Sequence, residues 1–107
     1  MRVWHPIPVT ELDNKRLLGE HVEIHAIASI ITDKTKGYQN HPEVNRWRGY
    51  EIMLYLRHSQ IVIEMTKRGM KHKSPLVKLK NIKSKKYWPR TWEPVDVMKQ
   101  KLKEKQK

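Results

Sequence analysis

Apolar residues recur at helical spacing in two long stretches of the chain. Leu18, Val22 and the Ile27–Ile31 region predict a first helix from about Asn14 to Ile31. Asp13 is placed to cap it, its side-chain oxygen accepting a free backbone N–H. Gly19 inside this helix costs about 1 kcal/mol relative to alanine, so a close neighbour is expected there. The second stretch has a stripe of Ile52, Leu56, Ser59 and Ile63, flanked by Tyr55, Val62 and Thr66. It predicts a helix from about Glu51 to Arg68 whose broad apolar face lies at the centre of the core. Lys67 and Arg68 suit its last turn, and Gly69 suits the position just beyond. Between the two, Thr32–Asn40 reads as a turn-rich connector and His41-Pro42 opens a short helix with proline at its first position. Gly49 ends it. After Gly69, lysines alternate with Leu76, Val77, Leu79, Ile82, Tyr87, Trp88 and Trp92. Residues Val95–Lys107 are again helical in pattern, but their lysine-rich end is expected to fray. Strand signals are few. The predicted class is all-α: a single compact domain of about three helices with a basic, loop-rich C-terminal third. The helical domain is expected over residues 1–94, with a lysine-rich tail over 95–107.

Composition narrows this picture. A chain of 107 residues with 37% hydrophobic residues makes one domain with a thin core. With no cysteine there is no disulfide framework, thiolate metal site or cysteine nucleophile. No apolar run is long enough to span a membrane. The start of the chain, interrupted by Pro6 and Pro8, does not read as a signal peptide, and an intracellular monomer is expected. Charge changes the picture most. The formal net charge is +12, and all of it resides in the second half. From Lys67 to Arg90 there are ten lysines and arginines and no acid. Such one-sided charge attracts a polyanion, most often nucleic acid.

Three constellations carry candidate chemistry. In Glu20-His21-Val22-Glu23-Ile24-His25, the two acids share one helix face and the two histidines another. The segment reads in three ways: as a solvated polar face, as half of a metal site, or as a catalytic carboxylate. Two histidines at i, i+4 can bind zinc. The HExxH order is absent, however, and no third ligand is evident in the sequence, so no metal and no cofactor are expected. A carboxylate facing a basic groove repels the polyanion the rest attracts, a cost tolerated when the acid does chemistry. The second constellation is Lys83, Lys85, Lys86, Tyr87, Trp88, Arg90 and Trp92, where cations would neutralise phosphates and flat rings would stack on bases or close the core. In the third, Arg46 and Arg48 could reach phosphates while Trp47 reads as core. Nucleotide-binding glycine loops and hydrolase triads have no support in the sequence.

Several segments, taken in order, resemble the pyrimidine dimer DNA glycosylase family (endonuclease V-like). They are Met1-Arg2-Val3-Trp4, Leu17-Leu18-Gly19-Glu20-His21-Val22-Glu23, the run from Lys34 through Gly37-Tyr38 and His41-Pro42 to Arg46-Trp47, and Lys67-Arg68-Gly69. Together they cover about residues 1–75. The resemblance implies a bifunctional glycosylase and abasic-site lyase acting on damaged double-stranded DNA. It implies the α-amine of Met1 as nucleophile and Glu23 as the catalytic carboxylate. An α-amine titrates near 7.7 against ~10.4 for lysine, so a useful fraction is neutral and nucleophilic at neutral pH. The large Arg2 is expected to keep Met1 in place. Arg2, His21, His25, Arg46, Arg48, Lys83, Lys85, Lys86, Trp88, Arg90 and Trp92 are the expected DNA contacts. The chain departs from the family at Val22 and Ala26, which stand where arginines flank the glutamate. The alternative reading is a non-catalytic basic module that binds nucleic acid.

Overall fold

A computed structural model of the chain describes residues 2–33, 37, 39–70, 84–89 and 93–106. After an irregular start and a 3₁₀ turn at Val9–Glu11 come α1 (Asn14–Thr32), α2 (Pro42–Trp47), α3 (Glu51–Lys67) and α4 (Val95–Lys105). Among the described residues there is no strand, as the all-α reading expects. No helix among them is long and apolar enough to cross a membrane.

The helix ends follow local chemistry. The Asp13 side chain accepts from the Arg16 N–H at 2.7 Å, filling one of the donors that a helix start leaves open. His41 caps α2 through Nδ1, which accepts from the Glu43 N–H, and Pro42 occupies the first turn, where its missing N–H costs nothing. At the end of α3, Gly69 adopts φ +74°. Its N–H reaches the Thr66 carbonyl and that of Met70 reaches Met65, the paired bonds of a Schellman ending. Gly49, at φ +81°, makes the turn between α2 and α3. Ser84 then caps α3 from a distance, its Oγ accepting the Ile52 N–H.

α1 and α3 form the body of the fold and run antiparallel, since Arg68 at the end of α3 reaches Asn14 at the start of α1 while Arg57 reaches Glu20. The faces they bury differ from the expected ones. On α3 the buried residues are Met53, Leu54, Arg57, His58, Ile61 and Met65. Ile52, Leu56 and Ile63 face outward, Ile63 being 57% exposed. On α1, Leu17, Ile24, Ile27, Ala28 and Ile30 enter the core, whereas Leu18 and Val22 are exposed. The inversion has a physical reason: Arg57 and His58 find polar partners on α1, so the face that carries them can be buried. Nor does anything pack against Gly19, where an added Cβ would meet no atom within 4 Å.

The lysine-rich end expected to fray is helical to Lys105. Met98 and Leu102 are buried with the residues of the other helices. The Lys105 carbonyl accepts from Arg16, and the Gln106 amide joins the Asp13 N–H to the Glu11 carbonyl. Lys103 and Lys105 in the last turn complement the helix dipole.

Candidate active site

Residues 3–7 form an irregular, mostly buried segment whose own turn supplies one bond, from the Ile7 N–H to the Trp4 carbonyl, so the other backbone groups need partners that no helix or sheet provides. Two buried ion pairs supply them. On α1, the Glu20 carboxylate accepts from the Trp4 N–H at 2.7 Å and from both Nε and Nη2 of Arg57. Arg57 Nη1 then donates to the Ile7 carbonyl at 2.8 Å. Glu20 and Arg57 are 1% and 2% exposed. On α2, Glu43 Oε1 accepts from Trp47 Nε1, from Arg46 Nη1 and, at 3.4 Å, from the Val3 N–H. Arg46 donates onward to the carbonyls of Val3 and His5. Three helices thus clamp the chain's first residues through charge-assisted hydrogen bonds.

One turn beyond Glu20 lies Glu23, whose burial is intermediate. It lines an open cleft with Arg2, Trp4, Lys15, Arg16 and Lys105, the bare backbone of Gly19 forming part of the wall. Glu20 is neutralised by Arg57, so Glu23 faces four cations in this cleft. Among the described residues no hydrogen bond or ion pair engages the Glu23 carboxylate, in contrast to Glu20 and Glu43. The Arg2 guanidinium lies 4.8 Å over the Trp4 ring and pairs with Glu93. Glu93 also takes Lys101 at 2.6 Å. The hydrogen bond from Arg2, and next that from Lys101, holds the Glu93 carboxyl below the usual carboxylate range.

The other expected contacts are placed as follows. Arg46 turns inward, its side chain only 5% exposed. The Glu43 carboxylate and the carbonyls of Val3 and His5 hold its guanidinium. Arg48, half-buried, binds the Gln39 carbonyl and side chain. Trp88 stacks on His5 with ring centres 4.2 Å apart and meets the edge of buried Trp47. It closes the core over the N-terminal segment. Lys85 and Lys86 are exposed, Lys85 with its ammonium over the Tyr50 ring. His21 and His25 point to α3, where they meet His58. Met1, Lys83, Arg90 and Trp92 lie outside the described residues. Lys15, Arg16 and Lys105 were not singled out in the sequence. Their helical positions on the cleft side of Glu23 were readable for Lys15 and Arg16, but Lys105 arrives only by the docking of α4.

Fold and site together define a small helical protein that presents one uncommitted carboxylate in a cationic cleft beside a clamped chain start. The chain belongs to the pyrimidine dimer DNA glycosylase family, whose family model matches residues 1–78. No curated protein and no solved structure matches it.

Proposed function

We propose that this member of the family is a DNA glycosylase and abasic-site lyase that uses the α-amine of Met1 and the carboxylate of Glu23. The observation that carries the reading is the shared cleft of Glu23 and Arg2, the residue next to the proposed nucleophile. A nucleophile on a free chain end is effective only if that end is held, and the reading is supported by the Glu20–Arg57 and Glu43–Arg46 clamps on the backbone of Val3, Trp4, His5 and Ile7, which lead to it.

The reaction follows from the groups. Lysines and arginines track the phosphates, and the damaged nucleotide is extruded, which costs least where stacking is already poor. The neutral amine attacks sugar C1′, the C1′–N bond breaks, and the base leaves and takes a proton. The C1′–O4′ ring bond then opens, O4′ takes a proton, and the open-chain adduct is an iminium whose positive charge acidifies the C2′ proton. Removal of that proton expels the 3′ phosphate oxygen, and water releases the amine from the resulting unsaturated aldehyde. Glu23 stabilises the cationic sugar and iminium and moves the proton. An amide would lack both the charge and the basicity. The protein acts on double-stranded damaged DNA inside the cell, as a monomer, and no step is routed through a metal.

Borohydride trapping tests this. Reduction of the iminium should yield a covalent protein–DNA adduct on duplexes carrying a pyrimidine dimer or an abasic site. Glu23→Gln should lower strand cutting at least 100-fold while leaving DNA affinity unchanged or tighter. One residue added before Met1 should abolish trapping. Full incision by the extended protein would overturn the proposal in favour of a non-catalytic cationic binder.

A further inference from the structure

We propose that His21, His25 and His58 form a zinc site that ties α1 to α3. His21 and His25 lie one turn apart on α1 and His58 faces them from α3. His25 Nε2 lies 3.2 Å from His21 Nε2 and 3.2 Å from His58 Nε2. One ligand nitrogen from each ring falls within 4.8 Å of the others.

Two separate hydrogen bonds between neutral imidazoles cannot both form at His25 Nε2; either one hydrogen is shared between two acceptors or a cation sits among the rings. A single Nε2 carries either one hydrogen or one lone pair. His25 Nε2 therefore has one bonding capacity and two nitrogen neighbours at equal distance. A cation among the three nitrogens resolves the conflict, because each ring then offers its lone pair to the metal. Two of the three spacings match directly: zinc–nitrogen bonds of about 2.0–2.1 Å at tetrahedral angles put the nitrogens about 3.3 Å apart, as His25 stands to His21 and to His58, and the His21 and His58 nitrogens, within 4.8 Å of each other, would close to that spacing around an ion.

The donor set selects the ion. Three imidazoles with no thiolate suit zinc and its first-row neighbours, whereas magnesium and calcium prefer oxygen. His21 and His58 are buried and His25 is half-buried, so the fourth position opens towards solvent on the His25 side and would hold water. The nearest formal charges in sequence, Glu20 and Arg57, neutralise each other and do not repel a dication. Residues 21 and 25 stand two positions either side of Glu23, so they project from another side of α1, and none of the three histidines lines the Glu23 cleft. The inference therefore stands apart from the glycosylase reading. Its role is to fasten the two long helices.

The full chain without a histidine tag, stripped with a chelator and dialysed, should be titrated with Co²⁺. The expected result is saturation at one Co²⁺ per chain, with the intense visible absorption of a four-coordinate site, displaced by one equivalent of Zn²⁺. Zn²⁺ should raise the thermal midpoint of the stripped protein by several degrees. His25→Asn, at the exposed edge, should weaken Co²⁺ binding at least tenfold with the helical circular dichroism retained, and His58→Gln should do the same. If the wild type fails to saturate and its midpoint does not move, the site does not exist. Equal saturation in wild type and both variants would place the bound metal elsewhere and equally overturn the proposal.

Discussion

At the scale of single residues, three glutamates illustrate how depth decides role. Glu20, Glu23 and Glu43 are chemically equivalent in the sequence, yet two are consumed by buried arginines and one remains open to the cleft. The pairing could not be read from the sequence, since the partner of Glu20 lies 37 residues away on another helix. Nor does the sequence show that the Arg46 guanidinium bonds Glu43 and the carbonyls of Val3 and His5. His58 was missed as a partner of His21 and His25 because a lone histidine on α3 has no local signature. Another buried histidine gives a pH prediction. Burial, and then the nearby charges of Arg57 and Arg46, lower the His5 pKa from 6.5 to about 4. Between those values the unfolded chain binds the proton and the fold does not, so stability falls as pH drops from 6.5 towards 4. The loss amounts to at most about 3 kcal/mol. Chemical denaturation across this range should show it in the wild type, and His5→Phe, which keeps a ring against Trp88 but cannot protonate, should flatten the slope.

At the scale of elements, start and stop signals were legible and facing was not. Asp13, His41-Pro42 and Gly69 mark α1, α2 and α3 to within a residue or two because caps and left-handed glycines act locally. Which side of α3 is buried depends on what α1 offers, and counting apolar positions picks the stripe containing Ile63 over the one containing Arg57. Ile61→Ala should therefore cost about 2–5 kcal/mol, as a fully buried aliphatic side chain does. Ile63→Ala should cost less than about 1 kcal/mol, and urea midpoints of the two variants decide the facing. Gly19 offers the reverse case. With open space around its missing Cβ, Gly19→Ala should stabilise α1 by about 1 kcal/mol. A thermal midpoint higher by a few degrees is the measurable sign.

At the scale of the whole molecule, charge asymmetry gave the partner class and the helical pattern gave the architecture. Neither revealed that α4 meets the residues ahead of and at the start of α1. α4 returns to the start of α1, places Lys105 at the cleft and pins itself with Met98 and Leu102. Tertiary docking of a lysine-rich amphipathic helix overrides the fraying that its composition suggests. Leu102→Ala should cost about 2–5 kcal/mol in urea unfolding. By loosening Lys105, it should also weaken DNA binding in the salt-sensitive manner of a lost phosphate contact.

The grip of three helices on residues 3–7 also sets how the molecule fails. A cleft built on a floppy terminus would lose competence well before its scaffold collapsed. Here the carbonyls and amides of that segment are bonded to side chains from α1, α2 and α3, so releasing it requires disturbing the buried Glu20–Arg57 pair that joins α1 to α3. Heating should therefore abolish the incision proposed above and helical circular dichroism in one shared transition, leaving no temperature window in which a folded but inactive form accumulates.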